Sequence, residues 1–146
     1  MKKNKKFVKV LFPKPINMGK RNWGVENLLV VIPKVLSLKI LEIKKGKKGG
    51  LQYHHLKNEC GYILSGKLLI RYDNGNGILK KKILSKGKCF HFPPGSVHQE
   101  EAITNVKILE ASSLHFNDRV RVEKLYNLEL KEGLPTTTIK QVKTSM

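Results

Sequence analysis

Between residues 28 and 113 a turn signal interrupts the chain about every ten residues, and that rhythm leaves room only for short strands. The apolar or alternating segments are LLVVI at 28–32, VLSLKILEI at 35–43, LQYHH at 51–55, YIL at 62–64, KLLIRY at 67–72, GILKKKIL at 77–84, CFHF at 89–92 and VKILEA at 106–111. Between them fall Lys-Lys-Gly-Lys-Lys-Gly-Gly at 44–50, Ser-Gly at 65–66, Asp-Asn-Gly-Asn-Gly at 73–77, Ser-Lys-Gly-Lys at 85–88 and Pro-Pro-Gly at 93–95. Regular short strands of this kind predict an all-β sandwich or barrel. The run Val35, Leu36, Leu38, Ile40, Leu41 suits a strand buried on both faces. A short helix is expected near 118–127, and the closing PTTTIKQVKTSM reads as a flexible tail.

Against this background the metal-ligand residue types stand out. Gln52, His54, His55 and Glu59 lie within eight residues, and His98 follows several strands later. Alternate side chains of a strand share a face, so Gln52 and His54 point one way and Tyr53 and His55 the other. A turn near Leu56 to Asn58 can return Glu59 to one of those faces. Imidazoles, a carboxylate and an amide oxygen make a mixed N/O set, suited to a single divalent transition metal: Zn, Mn, Fe, Ni or Co.

These residues carry a family resemblance. The segment Gly46–Gly66, GKKGGLQYHHLKNECGYILSG, resembles the first motif of the cupin superfamily: Gly, five residues, His-x-His, three or four residues, Glu, six residues, Gly. Gly87–His98, GKCFHFPPGSVH, is similar to the second motif up to its histidine, with Ala102 where the family has a closing Asn. The His-x-His can be laid on Gln52 and His54 or on Tyr53 and His55. Only the first register leaves five residues after Gly46, which makes Gln52, His54, Glu59 and His98 the expected metal ligands and His55 a rim residue. Trp23-Gly24, Leu51–His55, ILEAS at 108–112 and the run from Asp118 to Tyr126 resemble the C-terminal cupin domain of type II phosphomannose isomerases, over about residues 23 to 127. Gln-x-His resembles the ligand pattern of the other type of phosphomannose isomerase, where Gln supplies an oxygen.

The resemblance implies a double-stranded β-helix, a small jelly-roll barrel with its site inside. The expected organisation is a basic N-terminal arm at 1–22, a barrel at 23–115 and a C-terminal extension with a flexible tail at 116–146. The implied activity is that of a mannose-6-phosphate isomerase-like enzyme acting on a sugar or sugar phosphate. The alternatives are a non-catalytic cupin that binds a saccharide or small acid, and a metal-dependent oxygenase or lyase. No convincing general base is evident; His55, His91 and Glu101 are the candidates. Tyr62 and Arg71 read as outward-facing, His115 as a surface residue, Trp23 as a core or dimer anchor, and Cys60 and Cys89 as small core or pocket-edge hydrophobes.

Lys and Arg number 29 against 11 Asp and Glu, a net charge of +18. Lysine supplies 25 of the positive charges and arginine only 4. Lysine is the poorer residue for bidentate phosphate or base recognition. With no nucleic-acid motif present, the charge is read as compositional, with steering of a small anion second, and no nucleic-acid partner is expected. No apolar run approaches the roughly 18 to 20 residues of a membrane helix. The basic start lacks the pattern of a signal peptide, since Lys9 and Pro13 interrupt its apolar part. Two cysteines do not make a disulfide framework, so a cytoplasmic location is expected. The apolar stretch Phe7–Phe12 could add a strand to a neighbouring copy, which points to a homodimer.

Overall fold

The computed structural model describes residues 7–116 and 118–129. Among these residues eleven strands build two antiparallel sheets. They are β1 (Ile16–Arg21), β2 (Gly24–Ile32), β3 (Leu36–Ile43), β4 (Gln52–His54), β5 (Glu59–Ser65), β6 (Lys67–Asp73), β7 (Lys80–Ser85), β8 (Cys89–Phe92), β9 (Val97–Ala102), β10 (Val106–Ser112) and β11 (Arg119–Arg121). One sheet runs β1-β2-β3-β10-β5-β8 and the other β11-β4-β9-β6-β7. From β3 onward the chain passes back and forth between the sheets, apart from the β6–β7 hairpin, which stays in one sheet. This is the expected double-stranded β-helix. None of the described helices is long and apolar enough to cross a membrane.

The strands follow the turn rhythm, with three additions and one replacement. Ile16–Arg21, within the segment read as an arm, forms β1 on the open side of β2. Val97–Ala102 forms β9, and the helix expected near 118–127 is instead β11 followed by a single 3-10 turn, Glu123–Tyr126. The tail, residues 130–146, lies outside the described residues. The strand expected to be buried on both faces is not. In β3 the residues facing the interior are Ser37, Lys39, Leu41 and Ile43, while Leu36, Leu38 and Ile40 are half-buried on the outer face and Val35 is exposed. A continuous apolar run hides which face is inward, because period two carries no contrast there.

The interior is divided. At one end Leu41, Ile43, Ile63, Leu68, Ile70, Leu84, Phe90, Phe92, Ala102, Val106 and Ile108 pack as a single apolar cluster, with Trp23 and Tyr72 against it. Toward the other end the same strands turn polar: Glu26, Lys39, Glu59 and Glu110 on one sheet meet His54 and His98 on the other. Two glycines fix this packing. Gly66, which closes the first motif, turns β5 into β6 with φ of 84°, and a side chain there would strike the Asn105 carbonyl; only glycine combines that φ with that approach. Gly61 leaves room for the Phe90 ring laid over it.

Candidate metal centre

Three strands and one turn assemble the polar end. Gln52 of β4 pairs with His98 of β9, and His54 of β4 pairs with Arg119 of β11. Glu59 opens β5, just across the Leu56–Asn58 turn. His54, Glu59 and His98 are all buried, and one nitrogen or oxygen from each lies within 4.8 Å of the others. Glu59 Oε1 is 3.1 Å from His98 Nε2 and 3.7 Å from His54 Nε2.

The hydrogen bonds behind the histidines decide which nitrogen faces inward. His98 Nδ1 is 3.0 Å from the Ser96 carbonyl, which can only accept, so Nδ1 carries a proton. His54 Nδ1 is 2.8 Å from Asp118 Oδ1 and donates to it. Asp118 is held in turn by the backbone amides of Leu56 and Lys57, at 2.7 and 2.8 Å. Both rings therefore aim Nε2 at Glu59 Oε1. Two ring nitrogens and a carboxylate oxygen converge, and only a proton or a metal cation can lie between them. The Phe92 ring stacks on His98 at 3.9 Å and 8° and closes its far side.

Gln52 supplies a further signal. Its Oε1 is buried and finds no hydrogen-bond partner among the described residues. It lines the same cavity as the three ligand-type residues. A buried carbonyl oxygen left without a donor is costly, and a cation would satisfy it. The donor set of two imidazoles, a carboxylate and an amide oxygen fits a divalent transition metal.

The cavity beside this group has a volume of about 120 Å³. Its walls carry charges that the sequence reading did not foresee. Lys57 lies in the cavity wall, where its Nζ donates to Glu59 Oε2 and is 3.9 Å from Glu110 Oε1. Burial disfavours the Lys57 charge, but Glu110 and then Glu59 hold its pKa above the ordinary lysine value. For Glu59, burial would raise the pKa; Lys57 first and His98 next bring it well below the ordinary carboxylate range. Burial lowers the His54 pKa against the pull of Glu59. Glu100 sits on β9 two residues beyond His98, facing the same cavity. Burial first and the charges of Glu110 and Glu59 next push its pKa well up, and its Oε1 finds no partner among the described residues. Burial raises Glu110 as well, with Lys57 opposing. Behind them Glu26 bridges Arg21 at 3.0 Å and Lys39 at 2.8 Å.

The residues suggested as general bases lie elsewhere. His55 is exposed, its ring edge-on to Tyr53. His91 is exposed and bonded to Asn58 Oδ1 at 2.7 Å, on the outer face of β8. Glu101 points to the opposite side of β9 from His98 and pairs with Arg71. None of the three lines the cavity. The strand that carries His98 places 98 and 100 inside and 99 and 101 outside, so alternation from His98 would have selected Glu100 over Glu101. Lys57 has no such signal, because it sits in a turn. Cys60 and Cys89 are both exposed and neither lines the site cavity, so they are not the small core or pocket-edge hydrophobes expected, because each alternates with an inward-facing neighbour, Glu59 and Phe90.

Three comparisons place this architecture. No curated protein matches the chain. Among solved structures, the capsular polysaccharide assembling protein CapF from Staphylococcus aureus is 21% identical with a TM-score of 0.65, over 80% of this chain and 35% of that one. Oxalate decarboxylase from Bacillus subtilis is 18% identical with a TM-score of 0.68, over 81% of this chain and 33% of that one. KdgF from Halomonas sp. is 19% identical with a TM-score of 0.56, over 64% of this chain and 81% of that one. The chain thus spans about a third of the length of the first two, and at these identities the likeness is one of fold. The family model for the cupin domain matches residues 39–111, half of the chain, and this stretch contains His54, Glu59 and His98; the chain belongs to the cupin family.

Proposed function

We propose that the protein is a metal-dependent cupin that acts on a short, oxygen-rich anion, a sugar acid or a small hydroxy- or keto-acid, by moving a proton between adjacent carbons. The observation that carries this reading is the convergence of His54 Nε2, His98 Nε2 and Glu59 Oε1 beside the unsatisfied Gln52 oxygen. Gln52, His54, Glu59 and His98 would hold the ion. When bound, a divalent metal supplies Lewis acidity toward a carbonyl or hydroxyl oxygen. The B. subtilis oxalate decarboxylase contains Mn(II) centres, which makes manganese one metal to test.

The remaining steps belong to side chains of this chain. Lys57 keeps Glu59 ionised and fixed by its second oxygen. Lys57 is matched by Glu59 and Glu110, so Arg119 in the cavity wall is the cation that would favour a carboxylate or phosphate there. Glu100 faces the cavity with an oxygen that has no partner among the described residues, and burial beside Glu110 and Glu59 favours its protonated form, so it can hydrogen-bond a ligand oxygen and serve as the proton carrier in a cavity that His55, His91 and Glu101 do not line. The cavity is well below the roughly 300 Å³ at which ordinary ligand pockets begin. That size favours a short acid, or one end of a sugar, over a whole hexose phosphate.

A second reading, a mannose-6-phosphate isomerase-like enzyme, is favoured by Gln52 in the ligand set. The test is metal analysis of the purified protein, followed by a panel of short hydroxy- and keto-acids, uronates and hexose phosphates incubated in deuterated water. One ion per chain that His98→Ala no longer binds, and solvent exchange into a short acid or uronate, are expected. Exchange only into hexose phosphates selects the isomerase reading, binding without exchange selects a non-catalytic cupin, and oxygen uptake selects an oxygenase. A protein that stays metal-free after loading overturns the whole proposal. Free Cys60 and Cys89 support a reducing, cytoplasmic setting. The exposed arm residues Phe7, Val8, Val10, Leu11 and Phe12 support a homodimer formed by strand exchange. Deletion of residues 1–15 should halve the molar mass measured by light scattering.

A further inference from the structure

Both cysteines of the chain are exposed and free, although cysteine is among the residue types most often buried. They also lie on one patch of the outer sheet face. In the antiparallel β5–β8 pair Cys60 is directly opposite His91, and Cys89 opposite Tyr62. Cys60, His91 and Cys89 all fall at exposed positions of their strands. They form a triangle made of an i, i+2 pair on one strand and a single residue on its neighbour.

The spacing of that triangle selects among chemistries. Directly opposed residues have Cβ atoms about 4.5–5.5 Å apart and diagonal ones roughly 7 Å, while i and i+2 on one strand are separated by about 6.8 Å. A disulfide needs Cβ atoms at about 3.5–4.5 Å, so the diagonal Cys60–Cys89 pair is too far apart for one. A tetrahedral ion with bonds of about 2.3 Å to sulfur and 2.0–2.1 Å to nitrogen spans the larger separation. His91 Nε2 rests on Asn58 Oδ1 at 2.7 Å, so the three ligand atoms do not yet converge, and an ion would draw them together by rotation of exposed side chains, which is fast on the nanosecond scale.

We propose that Cys60, Cys89 and His91 form a second metal site on the outside of the barrel, for a thiophilic divalent ion of the zinc class with a solvent molecule completing the shell. Two thiolates and an imidazole favour such an ion over the harder metals suited to the inner N/O set. The site is independent of the inner one, yet it backs directly onto it. Cys60 follows Glu59, and His91 precedes Phe92, whose ring stacks on His98. An ion there would tie the edge strand β8 to β5.

Cobalt(II) titration of the reduced, full-length protein tests this, because only thiolate ligation gives a near-ultraviolet charge-transfer band and the inner group contains no sulfur. The band should appear in the wild type and equally in His98→Ala, and zinc should displace it. It should vanish in Cys60→Ser and in Cys89→Ser, and its midpoint should shift at least tenfold to higher cobalt in His91→Ala. No band in the reduced wild type, a band that survives either serine variant, or one whose intensity depends on protein concentration and so bridges two molecules, would each overturn the proposal. A Cys60–Cys89 disulfide in protein kept without reductant would overturn the spacing argument on which it rests.

Discussion

Each cavity histidine has its Nδ1 proton committed to an oxygen behind it, Asp118 for His54 and the Ser96 carbonyl for His98. The two partners differ in what a mutation can remove. Ser96 offers a backbone atom that no substitution deletes. Asp118 offers a charge, and outer partners of this kind typically contribute 10–100-fold in metal affinity. Asp118→Asn is therefore expected to weaken metal binding by about that factor, read by competition with a chelating dye, while far-ultraviolet circular dichroism stays unchanged. The adjacent glutamates of β9 make a sharper pair. Glu100→Gln should reduce ligand affinity or turnover at least tenfold, because the side chain faces the cavity. Glu101→Gln loses only a half-exposed pairing with Arg71 on the other side of the strand, and should change either by less than twofold. At this scale His54, Glu59 and His98 were legible in the sequence because both motifs fix their spacing. Glu100 was legible in principle, through alternation from His98. Lys57, Glu110 and Asp118 were not, since each contributes through a contact between segments distant in sequence or across a turn.

Among the elements, β11 and the 3-10 turn after it are short, yet they cover the side of the barrel on which Asp118 and Arg119 act. Backbone pairing to β4 holds β11 at Arg119, Val120 and Arg121, and Glu123 accepts from the Leu51 amide at 3.0 Å. The turn is anchored at its end by Tyr126, whose hydroxyl donates to Asp73 Oδ2 at 2.6 Å. Sequence periodicity missed this region, since three residues of strand and four of 3-10 turn are too short to show a period. The eight apolar runs, in contrast, each locate a strand, and the turn residues between them locate the reversals. The Tyr126–Asp73 bond has two pH signatures. Burial and then the bond to Asp73 raise the Tyr126 pKa to about 12 from its ordinary 10.0. Its folded value thus exceeds its unfolded one, so its stabilisation is complete below pH 10.0 and fades as the pH rises toward 12. For Asp73 the Tyr126 bond lowers the pKa from 3.8, so that contribution is present above 3.8 and fades as the pH falls below it. Tyr126→Phe should lower the melting temperature between these limits and converge with the wild type beyond both, in melts recorded from pH 3 to pH 12.

On the scale of the whole molecule, charge is distributed by function. Inside, cations are matched: Arg21 and Lys39 by Glu26, and Lys57 by Glu59 and Glu110. Among the described residues the unmatched positive charge therefore lies largely outside, in exposed runs such as residues 44–48 and 80–82. Exposed charges of one sign contribute little to fold stability but shape the field an approaching ligand meets. Lysine suits that role better than bidentate recognition, because its ammonium is a hydrated point charge on a flexible stem. At about 0.15 M ionic strength the Debye length is roughly 8 Å, and at 0.01 M about 30 Å. Surface lysines act on an anion outside the cavity only in the second regime. A charged ligand of the proposed class should bind with an association rate that falls at least tenfold between those salt concentrations, while its dissociation rate, set by contacts inside the cavity, changes by less than threefold. Stopped-flow binding of an anionic acid and of its neutral amide separates the two: the amide should show no salt dependence in either rate. Equal salt dependence for both compounds would mean that salt acts on the protein and not on the encounter, and would remove the surface charge from the account of how ligand reaches the site.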